Sequence, residues 1–331
     1  MAVIKNEEVV FIGSGAIATS LGNILAKNDV QVMLLSIEDE VVQRINEVNI
    51  NPKYFNSFRL HPTLKASTDK SVLKSASLIF LAIPSNAVVD YVKANKDFIN
   101  PNAVVVNLAK GFGSNSAIIP DCLSKIIKNP IVSMKGPSFA REILNDQPTA
   151  FTVASDDQTT FKLIDKLFEN STIHLDFTTD IRGVEYASIL KNIYAIIIGI
   201  VDASFDSPNL RSLVLSKAIN EMRSLMIGFG GQSQTIFNYC GFGDFSLTAL
   251  NDLSRNRTLG LLIGKGFFSQ DISEKVVLEG RIAVNIFYER LQSKGISEQE
   301  YPLLSELYKV FNSTYDTGKF VNNILKSHKS Y

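Results

Sequence analysis

The sequence predicts an α/β protein in two parts, a doubly wound sheet over residues 1–180 followed by an all-α C-terminal domain over residues 181–331. A length of 331 residues corresponds to about two domains at roughly 150 residues each. Short β-branched runs alternate with helix-like segments through the first half, and most are continuously apolar, as parallel strands covered by helices on both faces must be. From about Thr179 onward long helical periodicity takes over, with no further convincing strand.

In order, the predicted strands are Val9–Ile12, Val30–Leu35, Leu78–Ile83, Ala103–Asn107, Ile131–Met134, Ala150–Ala154 and Thr172–Leu175. A helix beginning near Gly183 is apolar on nearly every face from Ile189 to Ile198, so it is expected to run through the middle of the second domain. Lys191 and Asn192 interrupt that apolar surface.

Composition removes several function classes. With 45% hydrophobic and 20% charged residues the chain is neither disordered nor fibrous. The 33 Lys and Arg cancel the 33 Asp and Glu, so no global positive field draws in nucleic acid or an anionic membrane, and any phosphate recognition must be local. Apolar runs such as 194–201 are short of the ~20 residues that cross a bilayer, so no membrane span is expected. The first residues, with Lys5, Glu7 and Glu8, lack a secretory h-region, which makes the cytoplasm the expected location. Cys122 and Cys240 are too few for a disulfide scaffold, and His61, His174 and His328 show no ligand spacing, so no metal site is predicted.

Five segments have the residues to do chemistry. Gly13-Ser14-Gly15-Ala16-Ile17-Ala18 is a GxGxxA between a strand and a helix. Gly13 permits the tight turn, Gly15 lets backbone approach a pyrophosphate, and Ala18 allows close helix-to-strand packing, with the amides of the helix start facing the phosphates. The alternative is a turn that merely uses glycine. Its placement favours a Rossmann-like dinucleotide site. The position about 20 residues on, where an acid favours NAD and an arginine NADP, reads Ser36-Ile37-Glu38, a slight lean toward NAD. Lys110, in Asn107-Leu108-Ala109-Lys110-Gly111, follows an apolar strand and is placed to project into the ligand cleft, or is a solvated loop lysine. In 135–142, Lys-Gly-Pro-Ser-Phe-Ala-Arg-Glu, the glycine and serine are either ligand donors or an ordinary capped helix start.

Lys191 is the fourth. An ammonium on an apolar helix is expensive to bury unless paired, and desolvation draws its pKa toward the range of proton exchange; the alternative is a lysine that snorkels to the surface. The fifth is Gly241 to Thr248 followed by Leu253-Ser254-Arg255-Asn256-Arg257. Ser254 reads as a helix cap, and Arg255 and Asn256 fall in the first turn, where free amides and the helix dipole already favour an anion. Asp244 is a turn former or an acceptor for substrate hydroxyls.

Taken in series, GSGAIA, LAKG, KGPSFARE, GVEYASILKN and GFGDFSLTALNDLSRNR resemble the NAD(P)-dependent glycerol-3-phosphate dehydrogenase family of the bacterial and cytosolic type, from about Val9 to Ala283. The resemblance implies reversible hydride transfer between NAD or NADP and the dihydroxyacetone phosphate/sn-glycerol 3-phosphate pair, supplying glycerol 3-phosphate for glycerophospholipid synthesis. It implies that Lys191 exchanges the proton at the reacting oxygen and that Lys110 meets both cofactor and substrate. Gly136 and Ser138 would line the substrate site and Ala140 the cofactor site. Asp244, Ser254, Arg255 and Asn256 would hold the glycerol phosphate, with Arg255 also near the cofactor, and Val277 and Glu279 would be late cofactor contacts. A homodimer is plausible from the apolar helical domain.

The chain departs from the family pattern at Ala187-Ser188, which replace a pair of glycines, at Lys135, which replaces a small residue, and at Leu35-Ser36-Ile37, which stand where an aromatic, a small and a basic residue are usual. Two other readings stay open from sequence: a dehydrogenase of the same architecture acting on a hydroxy acid or ketopantoate-like substrate, and a non-catalytic NAD(P)-binding sensor.

Overall fold

The computed structural model describes residues 8–267 and 274–326, without the side chains of 274–278. The chain divides into two compact units, Met1–Glu185 and Tyr186–Tyr331.

The first unit is built on eight strands: β1 (Glu8–Ile12), β2 (Gln31–Leu35), β3 (Lys65–Ser67), β4 (Leu78–Leu81), β5 (Val104–Asn107), β6 (Ile131–Lys135), β7 (Thr149–Ala154) and β8 (Ile173–Thr178). Their order is β3-β2-β1-β4-β5-β6-β7-β8. Between them run α1 (Ala16–Lys27), α2 (Asp39–Val48), α3 (Ser85–Asn95), α4 (Ile119–Leu123), α5 (Ala140–Leu144) and α6 (Thr159–Phe168). Successive residues of a strand point to opposite faces, and both faces are buried. Val9 and Phe11 join the cluster that holds Leu21 and Leu25 of α1 and Ile164 of α6, whereas Val10 and Ile12 join Val88 and Val92 of α3 and Leu123 of α4. Each such side chain contributes roughly 1.5–3 kcal/mol by burial, so the continuous apolar runs are what both-sided coverage requires.

Two features depart from the sequence expectation. The edge strand β3 has only three residues, Lys-Ala-Ser, and buries only Ala66. And β7 pairs antiparallel with β6, while the other neighbouring pairs are parallel. Strand direction leaves no trace in composition when both faces are covered.

β1 has β2 on one side and β4 on the other, so the chain winds outward through β3 and then crosses back. That reversal is a topological switch point, where doubly wound sheets bind ligands beyond the carboxyl ends of their strands.

The helix α7 (Ile181–Ser204) begins in the first unit and continues into the second, which adds α8 (Pro208–Gly228), α9 (Asp244–Leu250), α10 (Arg255–Gly264), α11 (Glu274–Ser293), α12 (Pro302–Asn312) and α13 (Phe320–Lys326). At 24 residues α7 is long and apolar enough to cross a membrane by length and composition alone, but 94% of its most apolar window is buried within the protein, as in a core helix. Within the second unit α7 and α10 meet backbone to backbone. A Cβ at Gly260 would stand 2.0 Å from the carbonyl oxygen of Ile196, and one at Gly199 would stand 2.2 Å from that of Arg257. Elsewhere, Glu221 of α8 accepts from the Tyr194 hydroxyl at 2.7 Å and from the amides of Leu303 and Leu304 at 3.1 and 2.8 Å, satisfying donors at the start of α12. Burial pushes the Glu221 carboxyl up to about 7 despite those bonds.

Candidate active site

The loop after β1 is glycine-bearing for two separate reasons. Gly13 has φ +111°, and a Cβ there would lie 2.8 Å from the carbonyl oxygen of Ala82 beyond β4, so the turn itself demands glycine. Gly15 has φ −68° and ψ 179°, which any residue adopts, and a Cβ on it would meet nothing within 4 Å. The space above Gly15 is open. As N-cap of α1 it offers no side-chain cap, and the first turn of the helix contains no acidic residue. The loop is tied from below: the Ser14 carbonyl accepts from Asn51 Nδ2 at 2.9 Å and from Thr19 at 3.3 Å, and the Ser14 and Ser36 hydroxyls pair at 2.8 Å. Ala18 is buried, Ala16 and Ile17 half-buried. Ser20 donates to the carbonyl of Ala140 at 2.6 Å, which sets the start of α5 against α1. Uncapped amides at a helix start, beside a glycine with room above it, fit the pyrophosphate of a dinucleotide.

Beyond β5 and β6, the Lys110 ammonium donates to the Gly136 carbonyl at 2.9 Å, and the Ser138 hydroxyl donates to the same oxygen at 2.9 Å. A Cβ at Gly136 would lie 2.1 Å from the carbonyl oxygen of Ala150, so β7 enforces the glycine. Behind this turn is a network that the sequence did not reveal. Lys135 is fully buried, donates to the Asn107 carbonyl at 2.8 Å and pairs with Glu185 at 3.0 Å. The same Glu185 oxygen accepts from Ser133 at 2.6 Å and from Asn107 Nδ2 at 3.0 Å. Three donors converge on that one carboxylate oxygen, the kind of compensation a buried ion pair needs once it has left water. The network joins the ends of β5 and β6, which bear Lys110 and Gly136, to the first turns of α7.

In the second unit a five-residue π-type turn, Tyr239–Gly243, leads into α9. Gly241 is required there, since a Cβ would fall 2.2 Å from the carbonyl oxygen of Ile236. The turn delivers Asp244 to Lys191. The Lys191 ammonium, on a residue only 6% exposed, donates to Asp244 Oδ1 at 2.8 Å and to Thr248 Oγ1 at 2.8 Å. Thr248 in turn donates to the backbone carbonyl of Asp244 at 2.7 Å. Lys191 therefore does not snorkel, and Asp244 is the ammonium's partner rather than a mere turn former. Thr248 was not among the residues expected at the site. Its signal was the four-residue spacing from Asp244, which places both on one face of a helix.

Ser254 caps α10, its hydroxyl accepting from the Arg257 amide at 3.3 Å. Arg257 is committed to structure through ion pairs with Asp202 at 2.8 Å and with Asp252, and Arg211 pairs with the same Asp202 at 2.6 Å. Arg255 is exposed, makes no ion pair among the described residues, and shares its helix turn with half-buried Asn256 and no acidic residue. A bare guanidinium at a helix start is poised for an anion. Glu279 is exposed on α11, and the side chain of Val277 lies outside the described residues.

An open glycine loop at the switch point of a doubly wound sheet, in a chain whose helical unit buries a carboxylate-paired lysine, is an arrangement suited to a dinucleotide-dependent enzyme. The family models for the N-terminus and C-terminus of NAD-dependent glycerol-3-phosphate dehydrogenase match residues 8–161 and 180–322. The chain is 30% identical over 329 residues to the glycerol-3-phosphate dehydrogenase (NAD(P)+) of Clostridium acetobutylicum, covering 97% of each, and 32% identical to that of Clostridium tetani, covering 97% of this chain and 93% of the relative. It superposes on the crystal structure of glycerol-3-phosphate dehydrogenase from Coxiella burnetii with a TM-score of 0.87 at 25% identity, covering 97% and 99% of the two chains. The chain belongs to the NAD-dependent glycerol-3-phosphate dehydrogenase family and is an NAD(P)-dependent oxidoreductase.

Proposed function

We propose that the chain interconverts dihydroxyacetone phosphate and sn-glycerol 3-phosphate, with residues 1–180 holding NAD(P)H and residues 181–331 holding the substrate. The nicotinamide, when bound, supplies or accepts the hydride. As the central carbonyl is reduced its oxygen gains negative charge, and a proton-bearing cation beside it lowers the barrier. Lys191 is that group, giving the proton during reduction and taking it back during oxidation, a role worth roughly 10²–10⁴-fold in rate. Asp244 and Thr248 keep its ammonium aimed and prevent it from being a solitary buried charge.

The other roles follow the same division. Gly13, Gly15, Ala16, Ile17 and Ala18 receive the pyrophosphate, and Ala140 packs beside them. Lys110 meets both cofactor and substrate, and Gly136 and Ser138 line the substrate site. Ser254, Arg255 and Asn256 grip the phosphate, the local clamp that a chain of zero net charge needs. Arg255 also approaches the cofactor, as do Val277 and Glu279. The enzyme works in the cytoplasm as a homodimer; sedimentation at twice 36.5 kDa is the expected result for the latter.

The observation that supports this reading most is the buried Lys191–Asp244–Thr248 cluster, since a sensor without catalysis has no use for an ammonium held this way. The test is oxidation of NADH and NADPH with dihydroxyacetone phosphate and, in parallel, with ketopantoate. Turnover with the phosphate substrate and not the carboxylate is expected. The reverse result overturns the substrate assignment, and turnover with neither overturns the enzymatic one.

A further inference from the structure

The segment following β2 has features that the family membership does not explain. Ser36 occupies the strand end where dinucleotide folds place the residue that reads the adenosine ribose. Its hydroxyl is turned inward, buried, paired with Ser14 at 2.8 Å and accepting from the Glu38 amide at 3.1 Å. Ile37, the next residue, is 93% exposed and presents no charge. Glu38 follows, and both of its carboxylate oxygens accept from the Lys53 ammonium, at 2.8 and 3.0 Å. That lysine belongs to the loop whose Asn51 supports the Ser14 carbonyl, so the pair is built onto the same frame as the glycine loop. The Glu38 hydrogen bond holds the Lys53 ammonium above its usual range.

We infer that Glu38, positioned by Lys53, makes this chain selective for the cofactor whose adenosine ribose is unphosphorylated. The inference rests on the dinucleotide reading of the glycine loop. A ribose diol can donate to the Glu38 carboxylate. A 2′-phosphate at that end of the sheet meets the carboxylate as a like charge, finds the nearby ammonium already held through both carboxylate oxygens, and has only the apolar Ile37 where an arginine would otherwise serve it. Lys53 neutralises Glu38 in the free protein and so keeps the repulsion partial. The two residues therefore act with opposite sign: removing the carboxylate charge relieves the phosphorylated cofactor, and removing the ammonium worsens its position.

The experiment is fluorescence titration of NADH and NADPH, without substrate, into the wild-type protein, Glu38→Gln and Lys53→Met. The wild type is expected to bind NADH at least tenfold more tightly than NADPH. In Glu38→Gln the ratio narrows to threefold or less, with NADPH gaining; in Lys53→Met it widens. Equal binding of the two cofactors by the wild type, or variants that leave the ratio unmoved while both cofactors still bind, overturns the role of Glu38. Absence of binding by either cofactor overturns the dinucleotide reading and this inference with it.

Discussion

The two glycines of the loop after β1 should fail in different ways when given a methyl group. Gly15→Ala places its Cβ in open space at φ −68° and ψ 179°. Restricting the unfolded chain favours the alanine form by about 0.4–1 kcal/mol. Alanine is a poorer N-cap than glycine by a comparable amount, so the two effects offset and folding stability should move by no more than about 1 kcal/mol. In the proposed cofactor site the methyl stands where a pyrophosphate would approach backbone, and the dissociation constant for NADH should rise at least tenfold, or about 1.4 kcal/mol. Gly13→Ala behaves oppositely. Its positive φ and the 2.8 Å approach to the Ala82 carbonyl make it a folding lesion of about 1–3 kcal/mol or more. NADH fluorescence titration and thermal unfolding of both variants separate the two outcomes. A Gly15→Ala protein that binds NADH like the wild type would refute the placement of the phosphates over that helix start.

Three other perturbations probe separate parts of the account. Arg255→Ala should raise the apparent KM for dihydroxyacetone phosphate with little change in kcat, by about 2 kcal/mol, the loss of a charged hydrogen bond; steady-state kinetics with an unchanged KM would remove Arg255 from the phosphate clamp. Lys135→Met leaves Glu185 buried without its cation and should destabilise the fold by about 3–5 kcal/mol. Adding Glu185→Gln, which can still accept from Ser133 and Asn107, should recover more than half of that loss in chemical denaturation; a double variant no better than the single one contradicts the pairing. Glu221 titrates near 7 when folded and near its ordinary 4.5 when unfolded, so the folded state holds the extra proton between those values. Its contribution is complete below about 4.5 and is lost as pH rises through about 7, a change of about 3 kcal/mol. The stability difference between wild type and Glu221→Gln should shift by that amount between pH 4.5 and pH 8, and a pH-independent difference would sink the assignment.

Much of the architecture was legible because burial on both faces leaves an unbroken apolar run, as at Val9–Ile12 or Leu78–Leu81. Strand β3 was not, since a three-residue edge with one buried alanine has no pattern to read. The antiparallel β7 was equally silent, because direction does not alter which residues are covered. At the site, GxGxxA and the Ser254 cap are local features and could be read directly. Partners distant in sequence could not: Asp244 and Thr248 stand 53 and 57 residues beyond Lys191, and Glu185 stands 50 beyond Lys135. Gly136 shows the complementary problem. Its sequence context reads as a ligand-binding turn, while the contact that forbids a side chain there comes from the backbone of Ala150.

The most direct test concerns Lys191. In Lys191→Ala, turnover of NADH with dihydroxyacetone phosphate should fall by at least 10²-fold while the NADH dissociation constant, read by fluorescence on the same preparation, changes less than threefold. A variant that turns over at near the wild-type rate would contradict the assignment of the proton to this buried amine.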